Sequence, residues 1–199
     1  MNSYDFFDSE LLEHQDVAAR TAATLRDGFG EALALWTEAI RQGGKILLFG
    51  NGGSAGDAQH LATELTIRYS KDRVAIPAIA LTTDTSALTA CGNDFGFDRI
   101  FERQVEALGR SGDLAVGITT SGRSENVCRG LRRARELGLT TMTLTGGNGG
   151  RVAELSDVCL IVPSTVTARI QEMHIMLGQM LCGALELELG LLDNGGTQQ

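Results

Sequence analysis

The sequence predicts an α/β protein: a doubly wound, three-layer fold with a five-stranded parallel sheet, preceded by an N-terminal helical extension. Three observations carry this reading. Five short runs are apolar almost throughout: KILLF from Lys45, PAIALT from Pro77, DLAVGIT from Asp113, TTMTLTG from Thr140 and VCLIVP from Val158. Segments with helical spacing separate them, which is the pattern of strands covered by helices on both faces. The strands run into turns rich in glycine and hydroxyls, the places where ligands bind such sheets.

Taken in order, residues 8 to 42 place apolar side chains at Leu11, Leu12, Ala18, Ala22, Leu25, Phe29, Ala32, Leu33, Trp36, Ala39 and Ile40. That spacing is helical, and Gly28 and Gly30 are the expected break between two helices. A stripe of this length ahead of the first strand needs an apolar surface to cover it, and a partner subunit is the economical one. The extension is assigned to residues 1–43 and the sheet domain to 44–192. KILLF leads into a helix over about Ser54 to Arg68, and PAIALT into a short helical stretch through Ala90 and a helix over about Asp98 to Gly109. DLAVGIT leads into a helix from Ser124 to Leu137, and TTMTLTG into a brief turn at Arg151 to Leu155. After VCLIVP a long helix from Thr167 to Gly190 closes the domain. The tail DNGGTQQ, residues 193–199, reads as a frayed end without a role.

Composition narrows the function classes. The chain has 199 residues, 43% of them hydrophobic, enough for one substantial core. A net charge of −8 argues against generic nucleic-acid binding, which depends on clustered Lys and Arg. The one basic run, Arg129 to Arg135, reads as a solvated helix face. The sequence lacks a basic stretch followed by an apolar run at its start and any segment of membrane-spanning length, so the expectation is a cytoplasmic protein without membrane contact. Cys91, Cys128, Cys159 and Cys182 lack CxxC spacing and read as reduced, buried thiols.

The chemistry concentrates in KILLFGNGGSAGDAQHLATEL, Lys45 to Leu65. A strand, a glycine turn and a helix N-terminus make an anion site, because N–H groups without helical partners point outward there. Phosphate suits it. His60 and Glu64 are four residues apart on the following helix and share a face. A second loop, Thr119-Thr120-Ser121-Gly122-Arg123-Ser124, repeats the strand, small-residue turn and helix opening, with four hydroxyls that can wrap a phosphate. Taken singly, each feature has a plainer reading. Ser121 or Ser124 can be a helix cap, His60 a packed or surface histidine, Glu64 a partner of Arg68, and Asn93 and Asp94 turn formers. GNGGSA also fits a loose dinucleotide motif, but the nearest strand-end acid, Asp84, comes about 30 residues on where about 20 is expected.

Together NGGSAGDAQH, GNDFGF (Gly92 to Phe97), TTSGRS, TGGNGG (Thr145 to Gly150) and RIQEMH (Arg169 to His174) resemble bacterial phosphoheptose isomerases, enzymes of the sugar isomerase (SIS) fold. The resemblance runs from about residue 8 to residue 190. It implies interconversion of sedoheptulose 7-phosphate and glycero-manno-heptose 7-phosphate in cell-surface heptose synthesis, by a homotetramer with sites at subunit interfaces. It implies that Asn51, Gly52, Gly53, Ser54, Asn93, Asp94 and Gln171 bind substrate, with Thr119, Thr120, Ser121 and Ser124 as the phosphate grip. His60, Glu64 and Gln171 are implied as ligands of Zn²⁺, and Glu64 also as substrate contact and catalytic base. Asp57, one turn before His60, suits holding the imidazole tautomer.

The sequence departs from the family at residue 179, where the isomerases carry a histidine as zinc ligand and acid and this chain has Gln179. An amide exchanges no proton near neutral pH and is a weak metal ligand beside imidazole. Divergence, an engineered substitution, or use of another group such as His174 would each account for it. Gln171 and Gln179 are also about 12 Å apart in helical rise, so a shared metal requires a late helix start or two subunits. The alternative reading is a non-catalytic SIS protein, either a sugar-phosphate-binding module or a relative of the factors that assist the replication initiator. Action on a hexose phosphate is a third.

Overall fold

The structure is a computed structural model and describes residues 2–192; the tail lies outside the described residues. In chain order the elements are α1 (Ser3–Thr24), α2 (Arg26–Arg41), β1 (Ile46–Gly50), α3 (Gly53–Thr66), β2 (Ala78–Ala80), α4 (Thr85–Asp94), α5 (Ile100–Leu108), β3 (Leu114–Thr119), α6 (Glu125–Glu136), β4 (Thr140–Gly146), β5 (Val158–Val162) and α7 (Thr167–Glu188). The five strands form one sheet in the order β2-β1-β3-β4-β5, every pair parallel.

Strand alternation divides the core in two. Ile46, Leu48, Leu114, Val116, Met142 and Leu160 face the layer built by α1, α2, α3 and α7. Leu47, Phe49 and Ala115 face α4, α5 and α6. With both sides covered, β1 and β3 are buried along their whole length, and β4 buries Thr141, Thr143 and Thr145 between its apolar residues. The basic run on α6 lies in an ion-pair network with Glu102, Glu106, Glu125 and Glu136.

The N-terminal break differs from expectation. It falls at Leu25, between α1 and α2, and both Gly28 and Gly30 lie inside α2. Gly28 marks the approach of that helix to the sheet, since a Cβ there would lie 3.0 Å from Leu160 Cδ2. The covering surface for α2 is therefore the chain's own sheet: Trp36 is fully buried and its Nε1 donates to Met142 Sδ at 3.1 Å. The first half of α1 keeps an open apolar face, with Tyr4, Phe6, Phe7, Leu11 and Leu12 exposed.

The connection from β1 goes to one face of the sheet through α3, and that from β3 to the other through α6. The strand order reverses between them, which opens a crevice at their carboxyl ends, the usual ligand position in open α/β sheets.

Candidate active site

Two helix openings meet at this crevice. Gly52 precedes α3 with φ +57° and contributes no side-chain cap, so the first amides of the helix stay open to an anion. Ser54 follows, buried in the first turn. At α6 the residue in the cap position is Ser124, yet its hydroxyl caps nothing among the described residues. It faces the Thr119 hydroxyl instead, Oγ to Oγ1 at 3.3 Å, and Ser121 Oγ accepts the Arg123 amide at 3.2 Å. Thr120 and Ser121 line a cavity of about 450 Å³ with Gly147, Asn148, Thr165 and Ile170.

Two supports for this loop were not evident from the sequence. Asn51 and Asn126 exchange amide hydrogen bonds, each at 2.8 Å, tying the β1 turn to the first turn of α6. Asn126 is buried and its Oδ1 also accepts the Val127 amide. The TGGNGG motif packs behind the hydroxyl loop. Gly122, at φ +64°, accepts the Arg151 and Val152 amides at its carbonyl, and a Cβ there would collide with the Gly149 carbonyl.

The second group of candidates lies along the seam between α3 and α7. Gln171 lies over the glycine turn, so close that a Cβ on Gly53 would be 2.5 Å from its Nε2. Further along, His60 Nε2 lies 3.0 Å from Glu64 Oε1 and 3.0 Å from Gln179 Nε2. Glu64 pairs with His60 rather than Arg68, whose partner is Asp72. Glu64 lies eleven residues beyond Gly53, about 16 Å of helical rise.

One nitrogen cannot both donate to Glu64 and accept from Gln179. A half-turn of the Gln179 amide resolves the conflict, because its carbonyl then accepts from the same imidazole N–H that faces Glu64. The donors are one imidazole, one carboxylate and one amide, and among the described residues no group of three His, Cys, Asp or Glu side chains is placed to hold a metal ion. Because α7 begins at Thr167, Gln171 is already helical and a late helix start does not bring it to this point.

Four candidates stand apart. Asp57 is half-buried on the same seam and burial raises its carboxyl above the ordinary range, against the opposing pull of His60. Its Oδ2 has no partner among the described residues, and no described hydrogen bond joins it to His60. Asn93 and Asp94 end α4, exposed, with Asn93 Nδ2 donating to Asp94 Oδ1 at 2.7 Å. They share no described hydrogen bond with the other candidates. His174 is fully buried, and burial holds its ring down to about 4. It is neutral at physiological pH and unsuited to supply a proton. Of the cysteines, three are buried and Cys159 is half-buried, all free; burial pushes Cys159 up to about 11 and Cys182 to about 12, so neither is a reactive thiolate.

A doubly wound sheet with a hydroxyl-lined anion loop at its switch point defines a phosphosugar-binding class, and residues 11–146 match the SIS domain family. A phosphoheptose isomerase of Paramagnetospirillum magneticum is 55% identical over 181 residues, covering 91% of this chain and 94% of the relative. The structure of a phosphoheptose isomerase from Neisseria gonorrhoeae matches with a TM-score of 0.89 and 42% identity, over 94% of this chain and 100% of that one. One from Francisella tularensis matches with a TM-score of 0.91 and 37% identity, over the same shares, 94% and 100%. The chain belongs to the phosphoheptose isomerase family of SIS-domain proteins.

Proposed function

We propose that this chain interconverts D-sedoheptulose 7-phosphate and D-glycero-D-manno-heptose 7-phosphate through an enediol, with Glu64 as the base. The observation that carries the reading is the carboxylate of Glu64 set against His60 and Gln179, on the helix whose opening turn faces the hydroxyl loop. Aldose–ketose exchange moves one proton between C1 and C2, so a carboxylate must take it and return it. The Thr119 to Ser124 loop and the open amides of α3, contributed with Gln171 by a second subunit, hold the phosphate and keep the reacting carbons in register. A zinc ion held by His60, Glu64 and the Gln179 carbonyl would polarise the carbonyl and hydroxyl oxygens. Gln171 joins that set from a second subunit, in a homotetramer with sites at its interfaces. The regular helix through both glutamines and the exposed α1 stripe support this assembly. Among the described residues no helix is long and apolar enough to cross a membrane, in keeping with a cytoplasmic enzyme.

Gln179 cannot carry a proton, so turnover in this chain is impaired. The test is an isomerisation assay with sedoheptulose 7-phosphate, with and without Zn²⁺, on the parent, Gln179→His and Glu64→Gln. Restoring histidine should raise kcat by about 100-fold or more, and removing the carboxylate should lower it by at least as much. A Glu64→Gln variant that keeps the parent rate rejects the base assignment. Absence of turnover in both the parent and Gln179→His favours the second reading, a sugar-phosphate-binding SIS protein without catalysis.

A further inference from the structure

Helix α3 ends at Thr66 with no basic residue in its last turn. Its last turn therefore has no positive charge of its own to balance the helix dipole, and its final carbonyls take their donors from beyond the helix, the Ile76 amide serving Leu65 at 3.0 Å. Arg73 supplies the charge and further donors. Its side chain is only 1% exposed; Nη2 donates to the Glu64 carbonyl at 2.6 Å and Nη1 to the Leu65 carbonyl at 2.8 Å. On its other edge Nε donates to Glu186 Oε1 at 2.7 Å. Glu186 is fully buried and also accepts the Tyr69 amide at 3.2 Å.

Glu186 lies on α7, seven residues after Gln179, so two turns further along the same face. One guanidinium thus ties the backbone of Glu64 to the helix that carries Gln179. Burying two charges in this way is an expensive route to a helix cap, since an apolar pair of like volume often does as well for stability. What the pair adds is geometry. Arginine's planar fork holds two carbonyls and a carboxylate at fixed angles, which the point donor of lysine does not.

We infer that Arg73 and Glu186 are positioning residues that fix the register of α3 against α7 and so hold the Glu64 carboxylate at His60 and Gln179. The inference rests on the reading of Glu64 as base. It makes no claim of contact between Arg73 and substrate.

The test compares Arg73→Lys, Arg73→Ala, Glu186→Gln and Glu64→Gln, all in the Gln179→His background, by kcat and KM for sedoheptulose 7-phosphate and by circular dichroism. Arg73→Lys and Glu186→Gln should fold and lose about 10- to 100-fold in kcat with KM within about two-fold, the scale of a 1 Å misplacement. Millimolar guanidinium should restore part of the Arg73→Ala rate by refilling the site. If Glu64→Gln abolishes turnover while both Arg73→Lys and Glu186→Gln keep kcat within about two-fold of the background, the positioning role is overturned and the base assignment stands. A fall in kcat matched by a rise in KM, without guanidinium rescue, marks general loosening and also overturns it. Should Glu64→Gln keep its rate, or the background show none, the base reading fails first and the positioning role with it.

Discussion

Acid should destabilise this protein through one buried ring. His174 faces the core from α7, with neither ring nitrogen in a well-formed hydrogen bond among the described residues and the Thr145 backbone its nearest polar group. Burial holds it down from 6.5 to about 4, and the Thr145 backbone opposes that only in part. Between those two values the unfolded chain takes up a proton that the folded chain refuses. The contribution to stability is therefore complete above pH 6.5 and is lost as pH falls through about 4. At about 1.4 kcal/mol per unit, the loss is about 2 kcal/mol at pH 5 and about 3 kcal/mol by pH 4. Urea unfolding at pH 7, 5 and 4, at one fixed protein concentration, measures it in the parent and in His174→Leu. Leucine removes the titration and leaves no new polar group unpaired, so the parent should lose more stability than the variant by those amounts. Equal losses, within about 1 kcal/mol, would refute the assignment of a neutral, solvent-excluded imidazole.

Asn126→Ala leaves the Asn51 amide unpaired and should reduce stability by about 1–3 kcal/mol; KM should rise more than kcat falls, because the pair shapes the binding turn and does not touch the base. Steady-state kinetics and thermal melts check both halves. Replacing Phe7 and Leu11 together by serine removes the centre of the open stripe on α1, and sedimentation should show smaller species than the parent forms. An unchanged sedimentation profile would mean that this stripe is not what holds the subunits together.

The sheet was legible because its central strands β1 and β3 are buried on both faces and so read as nearly unbroken apolar runs. The hydroxyl loop and the glycine turn could be located because the fold places such turns at strand ends. The break in the extension was misplaced because glycine has two uses that a sequence does not separate. At Gly28 it lets α2 lie close to Leu160, while the chain bends at Leu25, a residue with no turn signature. The length of α2's stripe suggested a partner subunit, yet Trp36 shows the sheet itself as its cover. Helical spacing did align His60 with Glu64, since a face repeats every turn. It did not reveal Asn126, Arg73 or Glu186, each of which acts on a residue far away in sequence. One of these, Glu186, is a charged group inside a largely apolar segment, LCGALELELG, and that mismatch was the available signal.

The glycine-on-glycine contact behind the hydroxyl loop bears on how, in the proposed function, a protein of net charge −8 would hold a doubly charged ligand with an arginine, Arg123, rather than a lysine lining the cavity. Neighbouring backbone braces the bend from the rear, so its donors are already aimed when the anion arrives. The ordering entropy was surrendered once, during folding, and each binding event is spared it. Rigidity here works beside the charge of Arg123.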